Sequence, residues 1–328
     1  MNCLVLGGNG FIGSHIVDQL LQAGHHVRVY DRRDELFRPP LAAVEYFHGE
    51  LEDRAALRSA LEDVQVVFHL IGTTLPATSN QDPLYDVRSN VLGTLGLLEE
   101  CVKARVSRLI FTSSGGTVYG IPQTNPIPES HPTQPICSYG ITKLTIEKYL
   151  WLFHHLHGLE YMVLRCSNAY GPRQNPYGQQ GVVAVFLGRV ARGEPITIWG
   201  DGTVMRDYIY VEDIARAHLL AATSANGCLT LNIGSGMGHS LNRILELIFS
   251  VTGREVEVRY ENARSADVPS NVLDSSLAQR ELGWHARISL VEGIRRAWDW
   301  MQSVDWGKMK AEGSANQKPP RPEQALAR

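Results

Sequence analysis

Through the first half of the chain, short runs of β-branched and aliphatic residues alternate with longer stretches in which apolar residues return every three or four positions. The runs near 3–6, 27–30, 44–48, 66–70, 108–112 and 161–166 are almost continuously apolar, which predicts strands buried on both faces. Between them, the stretches near 11–23, 53–61, 83–104 and 139–157 carry the helical period. Such alternation predicts a doubly wound α/β fold, a parallel sheet with helices on both sides. After Arg165 the rhythm breaks into a Pro/Gly/Asn-rich stretch from Asn168 to Gly181, then a helix, a short strand around Thr197 and the polar turn Gly200-Asp201-Gly202. Residues 207–232 again read as strand, helix and strand and are expected to return to the sheet. From about Ser240 to Met301, three helices and a strand predict a smaller C-terminal α/β lobe. The expected division is therefore 1–167 for the first domain, with 207–232 rejoining it, and 168–206 with 233–302 for the second lobe. The tail 303–328, rich in Lys, Gly, Gln and Pro, lacks apolar periodicity and is expected to be disordered.

Composition narrows the class. A chain of 328 residues, 44% hydrophobic and 20% charged, can bury a full α/β core as one enzyme-sized unit. Its net charge of -3 and pI near 6.5 argue against a nucleic-acid surface, while leaving room for an anionic ligand held by a few local arginines. No apolar run approaches the roughly 18 residues of a membrane span, and no basic leader precedes Asn2–Leu6, so a cytoplasmic protein is expected. The five cysteines are scattered and lack CxxC spacing, which predicts reduced thiols and neither a disulfide framework nor a zinc site.

Candidate chemistry begins at the end of the first strand. It runs into Gly7-Gly8-Asn9-Gly10-Phe11-Ile12-Gly13 and on into a helix, a G-x-x-G-x-x-G turn. Glycine suits a tight turn whose backbone must approach a pyrophosphate, and the helix N-terminus offers N–H groups to its charge. Asp31 ends the next strand, where a carboxylate binds an adenosine ribose and repels a 2'-phosphate. NAD is therefore expected over NADP, with Arg32 and Arg33 as the residues that could soften that choice. A Rossmann dinucleotide domain follows. Glu50 and Leu51 after the third strand, and Leu70, Ile71 and Gly72 after the fourth, fall where adenine and ribose contacts are expected.

Tyr139 and Lys143 open a long helix four residues apart, so their side chains share one face. A phenol of pKa about 10 is a poor base near neutrality, but an ammonium and a positive nicotinamide beside it would each favour the phenolate. The pair predicts a tyrosine acid/base.

These motifs, together with VFHLIG at 67–72, NVLGT at 90–94, SSGGTVYG at 113–120, LRCSNAYGP at 164–172, RDYIYVEDIA at 206–215, NIGSG at 232–236 and RSADVP at 264–269, resemble the extended short-chain dehydrogenase/reductase family. The resemblance spans residues 1 to about 302 and lies in the branch of NAD-dependent sugar epimerases and dehydratases, nearest to those that invert C4 of UDP-hexoses such as UDP-glucose and UDP-galactose. It implies Tyr139 as catalytic base and Lys143 as its partner on the nicotinamide ribose. Asn90 and Ser113 would face the cofactor, with Cys166 near the nicotinamide. Asn168, Arg206 and Arg264 would hold the diphosphate of the nucleotide-sugar substrate, and Asn271 would border the sugar, its small size admitting N-acetylated forms. A homodimer is implied through the helices near 83–104 and 139–157, which carry Leu92, Leu95, Leu98, Leu150, Trp151 and Phe153 on more than one face.

One position departs from the family. Where a Ser or Thr usually bonds the reacting hydroxyl stands Gly115, so Ser114, Thr117 or a water must take that part. Relatives that dehydrate sugars carry Asp and Glu, and decarboxylating ones Glu, where this chain has Gly116 and Thr117. Elimination needs an acid and a base there. Redox-neutral epimerisation is expected, with dehydratase, decarboxylase or keto-sugar reductase, or a catalytically silent NAD-binding module, as the alternatives.

Overall fold

The computed structural model describes residues 1–178, 180–263 and 268–304. In chain order the elements are β1 (Asn2–Leu6), α1 (Phe11–Gln22), β2 (His26–Asp31), β3 (Val44–His48), α2 (Arg54–Ala60), β4 (Val66–His69), α3 (Pro83–Asp86), a π-helical turn (Val87–Leu92), α4 (Gly93–Lys103), β5 (Arg108–Ser114), α5 (Ser138–His157) and β6 (Glu160–Cys166). There follow β7 (Asn168–Tyr170), α6 (Val182–Arg192), β8 (Ile196–Trp199), β9 (Met205–Tyr210), α7 (Val211–Thr223), β10 (Leu229–Ile233), β11 (Gly238–Ser240), α8 (Leu241–Thr252), β12 (Val258–Glu261), β13 (Ser270–Asn271), α9 (Ser276–Leu282) and α10 (Leu290–Ser303).

Seven parallel strands form the main sheet in the order β10-β6-β5-β4-β1-β2-β3. Its central strands are mostly apolar because both faces are covered. Along β1, Cys3 and Val5 enter the core shared with Ile16 and Val17 of α1 and Ala217 and Ala221 of α7, whereas Leu4 and Leu6 enter the core shared with Leu57 of α2, Leu97 of α4 and Ile146 of α5. That is the two-residue period of a strand written into two cores. The strand order reverses between β1 and β4, so the loops after these two strands part and leave a crevice at their carboxyl ends. Among the described residues no helix is long and apolar enough to cross a membrane.

The second lobe is built on a four-stranded sheet of β7, β9, β11 and β13 and a β8–β12 pair, over a core that includes Tyr170, Phe186, Ile198, Ile244 and Trp298. Here the expected return of 207–232 to the main sheet is corrected. Only α7 and β10 rejoin it; β9 does not. The reason is Asp207, fully buried, whose carboxylate accepts from Ser235 N and Oγ (2.8 and 2.6 Å), Gly236 N (3.3 Å) and Leu273 N (3.2 Å). A buried carboxylate needs such saturation, and these donors lie in the loop after β10 and just past β13. Tyr208 and Tyr210 on the same strand face the second core while Ile209 faces the first, so β9 joins the lobes. The helix expected over 83–104 is also interrupted, at Val87–Leu92, where the Asn90 amide turns back onto the Asp86 carbonyl (3.1 Å) and carboxylate (2.8 Å). The expected tail beyond 304 lies outside the described residues.

Lobe packing explains the glycine that departs from the family. A Cβ at Gly115 would stand 2.5 Å from Leu273 Cδ1 and 3.1 Å from the Arg165 carbonyl oxygen. Leu273 is itself fully buried with Val118, Tyr119 and Ile127, and Ile127 N donates to Val272 O at 2.8 Å. The leucine therefore occupies the space that a serine side chain would need. Gly115→Ser should lower stability by about 1–3 kcal/mol, the usual cost of overpacking, and Leu273→Ala in that background should cost less than it does alone. Thermal unfolding of the four proteins checks this; an unchanged melting temperature for Gly115→Ser would refute the packing account.

Candidate active site

The glycine turn is built for close approach. Gly7 has φ +83°, and its carbonyl accepts from Gly10 N at 3.1 Å. A Cβ at Gly13 would lie 2.1 Å from that same carbonyl oxygen, so no larger residue lets α1 start so near β1. The first turn of α1 leaves N–H groups without intrahelical acceptors, and its dipole adds positive charge. Gly7, Gly10, Phe11, Ile12 and Gly13 line a cleft of about 920 Å³ that opens at the β1/β4 reversal and continues onto the second lobe.

Asp31 is fixed beside this turn, its two carboxylate oxygens accepting from Asn9 N and Arg33 N, each at 3.2 Å. Burial pushes its carboxyl upward against those bonds. Leu70 and Gly72 line the cleft as expected. Arg32, Glu50, Leu51, Ile71 and Asn90 do not. Arg32 pairs with Glu50 at 3.7 Å, and the Glu50 carbonyl accepts from Tyr30 OH at 2.7 Å. Leu51 is core packing against α4, and Ile71 packs on the same core. Asn90 braces the loop after β4, its Oδ1 accepting from Thr73 N at 3.0 Å and its amide donating to Thr73 Oγ1 at 2.9 Å.

Tyr139 and Lys143 come together on the first turns of α5, facing the cleft. The ammonium sits 5.6 Å from the Tyr139 ring centroid and 4.6 Å from that of Phe111, and it donates to the Thr112 carbonyl at 2.9 Å. Burial lowers Lys143 to about 8. The lysine alone does not depress the phenol. Burial, and after it the acidic groups of Cys166, Cys137 and Asp86, hold Tyr139 above the ordinary phenol value. Desolvation of the phenolate outweighs the neighbouring lysine, so a further cation at the ring is needed to make the tyrosine a base.

Around this pair the cleft wall carries Ser113, Ser114, Gly116, Thr117 and Cys166. Ser113 is committed elsewhere, its hydroxyl donating to Glu147 Oε1 at 2.5 Å. The Cys166 thiol is raised to about 12 by burial and is not a nucleophile. Thr117 Oγ1 is buried with no hydrogen-bond partner. On the second lobe, Asn168 lines the cleft while its amide donates to the Asp207 carbonyl at 3.0 Å, and Arg206 lines it with Nη1 bound to the Met205 and Val268 carbonyls at 2.8 and 2.7 Å. Arg264 lies outside the described residues. Asn271 stands behind the wall: 2% exposed, it donates to the Gly115 carbonyl at 3.3 Å, and its Oδ1 has no partner.

Sequence reasoning missed the far end of the cleft, where Phe186, Arg189, Trp199 and Tyr208 converge. The spacing of Phe186 and Arg189 on the helix after Gly181 was the available signal. It also missed Glu147 and Arg165, paired at 2.6 Å beneath the site, because charged residues inside an apolar pattern look like surface positions.

Comparison with known proteins agrees with this geometry. The description "NAD dependent epimerase/dehydratase family" matches residues 3–234. A UDP-glucose 4-epimerase of Mycolicibacterium smegmatis is 34% identical over 311 residues, covering 92% of this chain and 99% of that protein. Among solved structures, the UDP-glucose 4-epimerase of Thermotoga maritima with UDP-glucose superposes with a TM-score of 0.89 at 39% identity, over 92% of this chain and 99% of the other. The Thermus thermophilus UDP-glucose 4-epimerase in complex with NAD gives 0.87 at 36%, over 93% and 100%. With a glycine turn and carboxylate for a dinucleotide, a tyrosine–lysine pair in the same cleft and a match over most of its length, the chain belongs to the NAD-dependent epimerase/dehydratase family.

Proposed function

We propose that the protein is an NAD-dependent UDP-hexose 4-epimerase acting on UDP-glucose and UDP-galactose. The observation that carries this reading is the lining of the cleft beside Tyr139. It holds hydroxyls, a thiol and backbone, and Glu261, on β12 of the second lobe, is the one carboxylate among the described lining residues. An elimination or decarboxylation needs an acid or base next to the tyrosine. A redox-neutral inversion needs none.

The residues present fit the cofactor: Gly7, Gly10, Phe11, Ile12 and Gly13 would hold the diphosphate and Asp31 the adenosine ribose. NAD supplies the hydride acceptor and, through its positive nicotinamide, the second cation that the buried phenol requires. Tyr139 then takes the proton of the 4-hydroxyl and returns one after the sugar has presented its other face. Lys143 holds the ribose side of the site and keeps positive charge near the ring. Thr117, its hydroxyl oxygen buried and unpartnered, is the group that bonds the reacting hydroxyl in place of the residue lost at Gly115. Asn168, Arg206 and Arg264 take the substrate diphosphate, for which guanidinium forks are suited. The free cysteines suit the reducing cytoplasm, where the protein is placed by this reading.

We further infer a homodimer through the outer faces of α4 and α5. Leu98 and Leu150, expected to contribute, are core residues, but Leu92 and Trp151 are each 56% exposed, and Ile141 and Leu156 on α5 are exposed as well.

Three outcomes are expected. Incubated with UDP-glucose, the wild type forms UDP-galactose with no net change in NADH absorbance, and Tyr139→Phe lowers kcat by about 100-fold or more while NAD still binds. A 4-keto-6-deoxy product, or wild-type turnover in that variant, would reject the mechanism. Thr117→Val should slow turnover by about 10-fold or more while Ser114→Ala has a smaller effect, as measured by kcat under saturating substrate; the reverse order would move the role to Ser114. Sedimentation equilibrium should give a dimer that Trp151→Glu dissociates, and a wild-type monomer at every concentration would rule the interface out.

A further inference from the structure

Asp86 closes α3 and is fully buried, yet neither the glycine turn nor the tyrosine–lysine motif accounts for it. Its three side-chain donors are all neutral. Oδ2 accepts from Ser138 Oγ at 2.6 Å, and Oδ1 accepts from Thr74 Oγ1 at 2.6 Å and from Asn90 Nδ2 at 2.8 Å, while Thr142 Oγ1, 3.5 Å away, gives its proton to the Tyr139 carbonyl at 2.9 Å. A buried carboxylate without a bonded cation is costly, and a core that needed only volume would use an apolar residue.

The placement of the donors gives the charge its use. Ser138 immediately precedes Tyr139, so Asp86 grips the first turn of α5 beside the reacting tyrosine. Thr74 belongs to the other party: Thr74, Leu75 and Pro76 form the cleft wall after β4. That wall is tied a second time to the helix start, since Ser79 Oγ accepts from Tyr139 N at 3.0 Å and Asn80 Oδ1 accepts from Ser138 N at 2.8 Å. Asn90 carries the same carboxylate to the π-helical turn. A hydroxyl has one proton to give, so each of Thr74 and Ser138 spends its donor on Asp86.

We propose that Asp86 is a positioning residue that locks the 73–80 wall and the first turn of α5 into one unit, so that seating of the sugar and aim of Tyr139 and Lys143 are set together. The effect on turnover rests on the epimerase reading above; the mechanical coupling does not. Hydrogen–deuterium exchange and UDP-glucose turnover of the full chain with NAD test the two separately. In Asp86→Asn, amides of 73–80 and of 138–143 should both exchange at least about 10-fold faster, with β5 and β6 unchanged. Thr74→Val should loosen only the first segment and raise KM with kcat nearly kept. Ser138→Ala should loosen only the second and lower kcat by about 10-fold or more with KM nearly kept, because small misplacement of a reacting group is enough to do so. Asp86→Asn should combine both kinetic defects. The proposal is overturned if Asp86→Asn loosens one segment without the other, or if neither partial variant changes exchange; should Asp86→Asn fail to fold, the partial variants still decide. A wild type that leaves UDP-glucose unchanged would instead sink the functional reading, with the exchange result still standing for the lock.

Discussion

Everything that makes this cleft usable hangs on one buried ion pair. Glu147 and Arg165 meet at 2.6 Å with both side chains nearly excluded from water. Glu147 lies on α5, one turn beyond Lys143, and also accepts from Ser113 at the end of β5. Arg165 lies on β6 and donates to Tyr119 OH at 2.9 Å, which in turn donates to Asn232 on β10 at 2.7 Å. One helix is thereby registered against three adjacent strands by bonds with strict directions. Two apolar residues could hold α5 on the sheet as firmly, since a buried pair gains little over good packing. They would let it slide or rotate. A tyrosine aimed to within a fraction of an ångström tolerates neither, and removing one partner leaves an uncompensated charge costing about 3–5 kcal/mol.

The same insulation that sharpens these interactions works against the reacting groups. Lys143 is lowered to about 8 and Tyr139 is raised, so burial penalises the charged form of each relative to water. A depressed lysine weakens the fold below its native pKa and weakens it less as pH climbs from about 8 toward the ordinary 10.5, because there the unfolded chain holds the extra proton. At Lys143, therefore, stability is given up for an ammonium poised near its point of exchange.

Much of this was legible in the residues. The apolar strands, the glycine turn at β1 and Asp31 at the end of β2 are local signals, each caused by neighbours within a few positions, and they read correctly. That Tyr139 and Lys143 lie together on the cleft side of α5 was legible because helical spacing alone puts them on one face. What could not be read depended on distant partners. The sheet that β9 would join was decided by the donors that Asp207 finds in the loop after β10 and beside β13. The phenol's upward shift came from burial, which no spacing displays. Leu51 and Asn90 occupy positions that a linear count assigns to the cofactor, but the first is held in the core and the second is used up on Thr73 and Asp86. Leu98 and Leu150 likewise turned inward while Leu92 and Trp151 did not.

The contact of Leu273 with Gly115 also binds the history of the two lobes. Neither residue can change freely: a side chain at 115 meets the leucine, and a smaller residue at 273 opens a void beside the glycine. Such a pair is epistatic, and the two positions are expected to vary together rather than one at a time. A chimera that joins the dinucleotide half of this chain to a C-terminal lobe with a smaller residue at 273 would leave Gly115 facing a void. The junction would be intact, and the void would lie at the wall of the sugar pocket, where loose packing translates into a misplaced substrate. For lobe exchange in this family, the compatible partner is identified by the residue that faces position 115.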